Sequence, residues 1–247
     1  MKKTRNIQKK QGIDWPKLIP GTLIKRYKRF LADVKLANGE LVTAHCPNSG
    51  SMKACSKPGR PVYLSFHDNP NRKLRYTWEI IDMPDSLVGV NTMIPNKLVK
   101  KSIEDGLVDE LKGYERVIPE VKVGNGSRLD LLLEKSVGEK CFVEVKNCTL
   151  VEDGVACFPD AVTARGRKHL LELQRLVGEG NRCAMFFLIQ RMDAEEFRPA
   201  DHIDPLYGAE LRRARTSGIE ILAYDVFIDL SRISLNARLP IMIDERL

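Results

Sequence analysis

Three charged side chains stand within or at the end of two apolar runs. Residues 127–146 read SRLDLLLEKSVGEKCFVEVK, with Asp130 inside one apolar run and Glu144 and Lys146 at the end of another. Runs over Leu129–Leu133 and Cys141–Val145, separated by a polar turn containing Gly138, predict a buried β-hairpin. A three-residue loop of Ser136, Val137 and Gly138 makes facing positions sum to a constant, which sets Asp130 opposite Glu144. Like charges facing each other on a sheet repel, and burying them costs roughly several kcal/mol unless a cation sits between them. A divalent metal ion is the natural candidate. Strand alternation puts Lys146 on the Glu144 face, so an ammonium on a flexible stem reaches the same spot. The alternative is an ordinary solvated hairpin face. It conflicts with apolar neighbours on both parities of the strands, although a one-residue slip in register would separate the two acids.

The elements that must hold this hairpin follow from periodicity and punctuation. After a connection over residues 83–95, a helix is expected over 96–112, with Asn96 as N-cap, an apolar stripe of Leu98, Ile103, Leu107 and Leu111, and Gly113 as its stop. A strand over Val117–Val123 leads into the hairpin. A second helix is expected over 160–177, with Asp160 as N-cap and Val162, Leu170, Leu173 and Val177 on its apolar face. Arg165 and His169, four apart, then lie on one side of it and point at whatever the hairpin binds. An apolar strand at 183–191, a helix at 206–216 and a strand at 219–227 complete an order that predicts an α/β sandwich on a mixed sheet.

The front of the chain is different. Short β-like runs with Gly and Pro between them, from Leu18 to about Asp82, predict a small β-barrel. The chain thus divides into a basic arm (1–17), a barrel (18–85) and an α/β domain (86–247), an α+β two-domain protein. Residues 1–85 hold 17 Lys and Arg against 7 Asp and Glu, whereas the remainder holds 23 against 26, so the front half seeks a polyanion. Lys25, Arg26, Lys28 and Arg29 surround Tyr27 and Phe30, and Arg72, Lys73 and Arg75 precede Tyr76 and Trp78. Cations for phosphates interleaved with rings for bases suit a groove that tracks a nucleic-acid backbone; the alternative has the rings in the barrel core and the cations merely solvated. The first 14 residues are expected to be a mobile arm that orders on a phosphate backbone. The loop HCPNSGSMKACSKPG (45–59) offers amides for a phosphate, with Lys53 nearby, but carries no GxxxxGK[ST] signature.

No apolar run is long enough to span a bilayer and no signal-peptide core follows the basic N-terminus, so a soluble cytoplasmic protein without membrane contact is expected. Six cysteines without a CxxC pair imply reduced, mostly buried thiols rather than a zinc cluster or a disulfide framework.

Asp130 followed after a hairpin by Glu144-Val145-Lys146 resembles the PD-(D/E)XK nuclease motif, with Leu129 where that motif has proline. The literal Pro159–Asp160 pair comes after the ExK strand and precedes a helix, which marks it as a capping feature and a decoy. HCPNSGSM (45–52), SRLDLLLE (127–134), VEVKN (143–147) and FPDAVTARGRKHLLEL (158–173), in this order, resemble the sugar fermentation stimulation protein A (SfsA) family over nearly the whole chain. The resemblance implies an N-terminal OB-like barrel, a C-terminal nuclease-like domain, DNA binding and a regulatory role in sugar metabolism. It further implies that Asp130, Glu144 and the carbonyl of Val145 hold Mg²⁺ or Mn²⁺, that Lys146 acts on the attacking water or the phosphorus, and that Glu120 resembles an additional acid, for which Glu110 and Glu115 are substitutes. Phosphate contacts would come from Lys25, Arg26, Lys28, Arg29, Lys53, Arg72, Lys73, Arg75, Arg165 and His169. Single-stranded DNA, branched DNA and RNA stay open as partners, as does a homodimer. The rival reading is a non-catalytic, sequence-independent DNA-binding regulator.

Overall fold

The computed structural model describes residues 11–124 and 126–243. The chain starts with β1 (Ile13–Asp14) and then builds β2 (Leu18–Tyr27), β3 (Leu31–Leu36), β4 (Leu41–His45), β5 (Pro61–Phe66), β6 (Tyr76–Asp82) and β7 (Leu87–Gly89). The last six form a sheet in the order β4-β3-β2-β5-β6-β7, and a parallel pairing of Ala44 with Tyr76 and His45 with Thr77 joins β4 to β6, closing a five-strand barrel. Inward residues of alternate strand positions fill it: Leu23, Val34, Val62, Leu64 and Trp78 are buried. Trp78 is fully enclosed, with its Nε1–H on the Ile80 carbonyl, so it is a core residue rather than a stacking platform.

Then come α1 (Ile94–Glu104), β8 (Arg116–Val123), β9 (Ser127–Glu134), β10 (Lys140–Cys148), β11 (Leu150–Glu152), β12 (Val155–Phe158), α2 (Ala164–Gly178), β13 (Arg182–Ile189), β14 (Glu196–Pro199), α3 (Pro205–Thr216), β15 (Glu220–Ile228) and β16 (Arg232–Arg238). A seven-stranded mixed sheet runs β1-β16-β15-β13-β10-β9-β8, with β10, β13 and β15 parallel. Helix α1 covers one face and α2 and α3 cover the other. Along β10, Cys141, Val143 and Val145 pack with Leu98 and Val99 of α1, whereas Phe142 and Cys148 pack on the α2 side with Leu170 and Leu173. A strand covered on both faces must be apolar on both parities. That is why Glu144 stands out: apolar neighbours there each gain about 1.5–3 kcal/mol on burial, and a carboxylate does not.

Three local expectations are corrected. The first helix begins two residues before Asn96, which sits inside it, and ends at Glu104, where Gly106 takes φ +69; Asp109–Leu111 is a separate 3₁₀ turn. The second helix begins at Ala164, capped by Thr163, whose Oγ1 accepts from Gly166 N at 3.0 Å; Asp160 is not its cap and Val162 is exposed. Residues 1–10 of the basic arm lie outside the described residues, but Ile13 and Asp14 pair with Ile233 and Arg232 on β16, and Trp15 bonds Ser231 and Asp229. This end of the arm is an edge strand of the C-terminal sheet rather than a free tail.

The barrel and the sheet are stitched together. Gly89 N donates to the Gln190 carbonyl at 2.9 Å and Met192 N to Ser86 Oγ at 2.9 Å. All six cysteines are buried free thiols, and no helix among the described residues is long and apolar enough to cross a membrane.

Candidate metal and phosphate site

The hairpin closes as a three-residue loop, Lys135 N to Glu139 O and Gly138 N to Lys135 O, and its ladder pairs Glu134 with Lys140 through Leu131 with Val143. The next step in register brings Asp130 to Glu144. There the ladder gives way: the Val145 amide donates to Asp130 Oδ2 at 2.8 Å, and Asn96 Nδ2 from α1 donates to Oδ1 at 2.7 Å. Asn96, taken from sequence for a cap, instead orients an acid.

Glu144 is 2% exposed on the α2 face. Its Oε1 meets both Lys146 Nζ and His169 Nδ1, and Nζ lies 3.1 Å from Nδ1. Arg165 Nε donates to His169 Nε2 at 3.4 Å, so the ring uses Nε2 as acceptor and Nδ1–H as donor to Glu144. The structure thereby brings Asp130, Glu144, Val145, Lys146, Arg165 and His169 to one place. Among the described residues, Glu144 Oε2 is buried without a hydrogen-bond partner. An unpaired oxygen on a buried carboxylate is expensive, and it invites a cation.

The electrostatics agree. Burial, followed by the charge of Glu144, raises the Asp130 pKa to about 6, against the help of Val145 N–H and Lys146. Burial pushes Glu144 upward too, but the His169 hydrogen bond and the Lys146 charge outweigh it and hold Glu144 below the usual carboxylate range. Without a cation, Asp130 takes up a proton before Glu144 as pH falls. Among the described residues no cluster of three or more His, Cys, Asp or Glu forms a metal cage, so an ion here draws on two carboxylates and the backbone, hard oxygen donors that suit Mg²⁺, Mn²⁺ or Ca²⁺.

The other acidic candidates already have partners. Glu120 stands on β8 between the Pro119–Leu131 and Val121–Leu129 pairs, and so opposite Asp130, with φ +60 and its exposed carboxylate on Arg128 at 3.0 Å; Glu110 bonds Tyr224 and Arg238, and Glu115 bonds Ser136. On the barrel, Lys28 and Arg29 form an exposed left-handed turn, and Lys53 and Lys73 are also exposed. Lys25 pairs with Asp33 at 3.6 Å, Arg72 donates to Thr77 Oγ1 at 2.9 Å, and Arg75 pairs with Asp68 while lying 4.6 Å over the Phe66 ring. Arg26 is corrected: its guanidinium donates to the carbonyls of Arg29, Asn48, Gly50 and Ser51, and so anchors a loop rather than facing solvent phosphate.

The phosphate cradle expected in residues 45–59 is corrected as well. Gly50 N donates to Asn48 Oδ1 at 2.8 Å and Met52 N to Asp160 Oδ2 at 3.2 Å, so these amides are taken. The Asp160 carboxylate lies so close under Gly50 that an added Cβ would sit 2.6 Å from it, and an anion there would meet like charge. Asp160 is therefore a clasp between barrel loop and sheet domain, a role hidden from sequence by a separation of more than a hundred residues.

Comparison with known proteins follows this geometry. Residues 93–232 match the family profile described as sugar fermentation stimulation protein RE domain, and residues 24–90 match the SfsA N-terminal OB domain. Sugar fermentation stimulation protein homologs from Geobacter sulfurreducens and Acidithiobacillus ferrooxidans are 55% and 50% identical over 228 residues, which is 92% of this chain in both cases and 97% and 98% of theirs. A solved structure described as Pyrococcus furiosus SfsA in complex with Ca²⁺ is 29% identical with a TM-score of 0.86, covering 94% of this chain and 99% of that one.

Proposed function

This chain belongs to the sugar fermentation stimulation protein family, and from that premise we propose that it is a DNA-binding protein that hydrolyses phosphodiesters with a divalent metal, Mg²⁺ or Mn²⁺. The observation that carries the reading is the buried, unpartnered Glu144 Oε2 beside Asp130, with Lys146 in reach. The Ca²⁺ in the Pyrococcus furiosus relative supports a divalent ion at the equivalent fold. Asp130, Glu144 and the Val145 carbonyl would hold it. What such an ion supplies is polarisation of a phosphate oxygen and easier ionisation of water.

The chain's own groups do the rest. Asn96 and the Val145 amide fix Asp130, and His169 fixes Glu144, so neither acid needs to reorganise when a phosphate arrives. Lys146, largely buried, offers positive charge where negative charge grows in the transition state, and exposed Arg165 reaches the phosphate from α2. Residues 18–85 serve as the binding module, with Lys28, Arg29, Lys53 and Lys73 on the backbone, and residues 86–247 serve as the catalytic one.

The test is incubation of the purified protein with labelled single-stranded, double-stranded and branched DNA, and with RNA, in Mg²⁺, Mn²⁺ or EDTA. At least one DNA substrate should be cut with metal and none in EDTA. Binding of DNA without cutting under any of these conditions would leave the non-catalytic regulator as the surviving reading.

A further inference from the structure

A cavity of about 180 Å³ lies where the loop after β4 meets the carboxyl end of β10, and no step above uses it. We propose that it is a base-reading subsite that takes one unstacked nucleobase of the bound strand; the proposal rests on the nucleic-acid reading above.

The lining decides the class of ligand. Ser49, Asn147 and Thr149 supply hydroxyls and an amide, Phe158 an aromatic wall and Asp160 a carboxylate, with no Lys or Arg among the described lining residues. A phosphate would face a negative charge with nothing to neutralise it, whereas a neutral heterocycle rich in donors and acceptors matches such a wall. The space falls below the roughly 300 Å³ at which pockets for larger ligands begin, so it suits one ring system that has left its stack.

The orientation of two groups sharpens this. Asn147 Oδ1 accepts from Gln190 Nε2 at 2.8 Å, which fixes the amide and leaves its two N–H donors for the cavity. Asp160 Oδ2 takes Met52 N and Ser51 Oγ at 3.2 and 3.3 Å, which leaves Oδ1 as an acceptor. Asn48 and Thr92, by contrast, are consumed by Val90, Gly50 and Pro47, and only shape the wall. A donor from the sheet and an acceptor from the segment before α2 form a pair, and a nucleobase edge presents the complementary pair. Asn147 also directly follows Lys146 at the carboxyl end of a parallel strand, where open α/β sheets hold their ligands.

Two measurements on the full chain test this. In the first, the four 2′-deoxynucleosides are titrated without metal into the isotope-labelled protein. At least one should shift the Asn147 side-chain amide resonances, and Asn147→Asp, which replaces donors by an acceptor, should change which nucleoside does so. The wild-type titration needs no variant, so poor folding of Asn147→Asp leaves it intact. In the second, a randomised single-stranded oligonucleotide pool is cut in Mn²⁺ and the ends sequenced. Wild type should show about tenfold base bias at one position near the cut, redistributed in Asn147→Asp. No nucleoside shift at Asn147, shifts confined to the barrel, or nucleoside binding with no positional bias in the cut ends would each overturn the subsite. If the protein cuts nothing, the pool is instead selected for affinity: base bias together with nucleoside shifts at Asn147 upholds the subsite while the nuclease reading fails.

Discussion

The barrel and the sheet domain use charge in opposite ways. On the barrel, cations sit at the surface, and some already have company: Lys25 with Asp33, Arg75 with Asp68 and Phe66, Arg72 with Thr77. In the sheet domain, Glu144 and His169 are buried among the apolar residues that join a strand to one face of a helix, and Asp130 and Lys146 lie beside them. Exposed ion pairs are worth about 0–1 kcal/mol, whereas a buried charge left unpaired costs about 3–5 kcal/mol. Charge at the surface can be exchanged cheaply and serves affinity. Charge under the sheet persists only with partners, and serves one position.

The largest effect should come from the buried side. Lys146→Ala removes a group whose benefit lies in the transition state, so metal-dependent cleavage should fall by about two to three orders of magnitude with DNA affinity within about twofold of wild type. A Lys146→Ala protein that cuts at the wild-type rate would remove Lys146 from the chemistry. Next, Lys28→Glu, Arg29→Glu and Lys73→Glu together should weaken DNA binding by about 10- to 100-fold at low salt and flatten its salt dependence, measured by fluorescence anisotropy, while the single-turnover rate at saturating DNA holds. If binding were unchanged, the affinity would have to come from the sheet domain.

Arg26→Ala separates a structural cation from a binding one. It should lower stability by about 2 kcal/mol, because four carbonyls lose a charged donor, which is a drop of roughly 4–8 °C in Tm, and leave the salt slope of DNA binding alone. The smallest effect concerns pH in metal-free protein. The folded pKa of Asp130 is raised to about 6 from an ordinary value of 3.8, so its contribution is present below the unfolded pKa and is lost as pH rises through the folded one. Thermal stability in EDTA should therefore decline between about pH 4 and 7 by an amount that Asp130→Asn abolishes. Equal slopes in the two proteins would mean that Asp130 ionises without penalty.

The hairpin was legible because its loop length fixes register and its apolar neighbours on both parities announce a strand covered twice. Asp130 meeting Glu144, and Arg165 and His169 turning to them, followed from periods of two and four. What sequence could not tell is which polar groups are already spent. Arg26 and Arg29 are both arginines beside an aromatic in a basic run, yet one is consumed by four carbonyls and the other is exposed in a tight turn. Asn96 and Asp160 both read as helix caps by type and place; their partners, Asp130 and the Ser51–Met52 segment, lie 34 and 108–109 residues away. The short strands β11, β12 and β14 escaped notice because three or four residues hold no readable period.

The attachment of the chain at β1 limits how this protein can be dissected. Ile13 and Asp14 lie along β16 before the polypeptide enters the barrel, and β7 hands it back through Gly89 and Ser86 to Gln190 and Met192. The barrel is thus a loop tied down at both of its roots, unlike a bead on a string. A fragment beginning at residue 86 would lose β1 and leave the outer edge of β16, with its unpaired backbone, open to a neighbouring molecule. Such a fragment should clump, and its failure to bind or cut would say little about where either activity resides. Point substitution within the whole chain is the sounder scalpel.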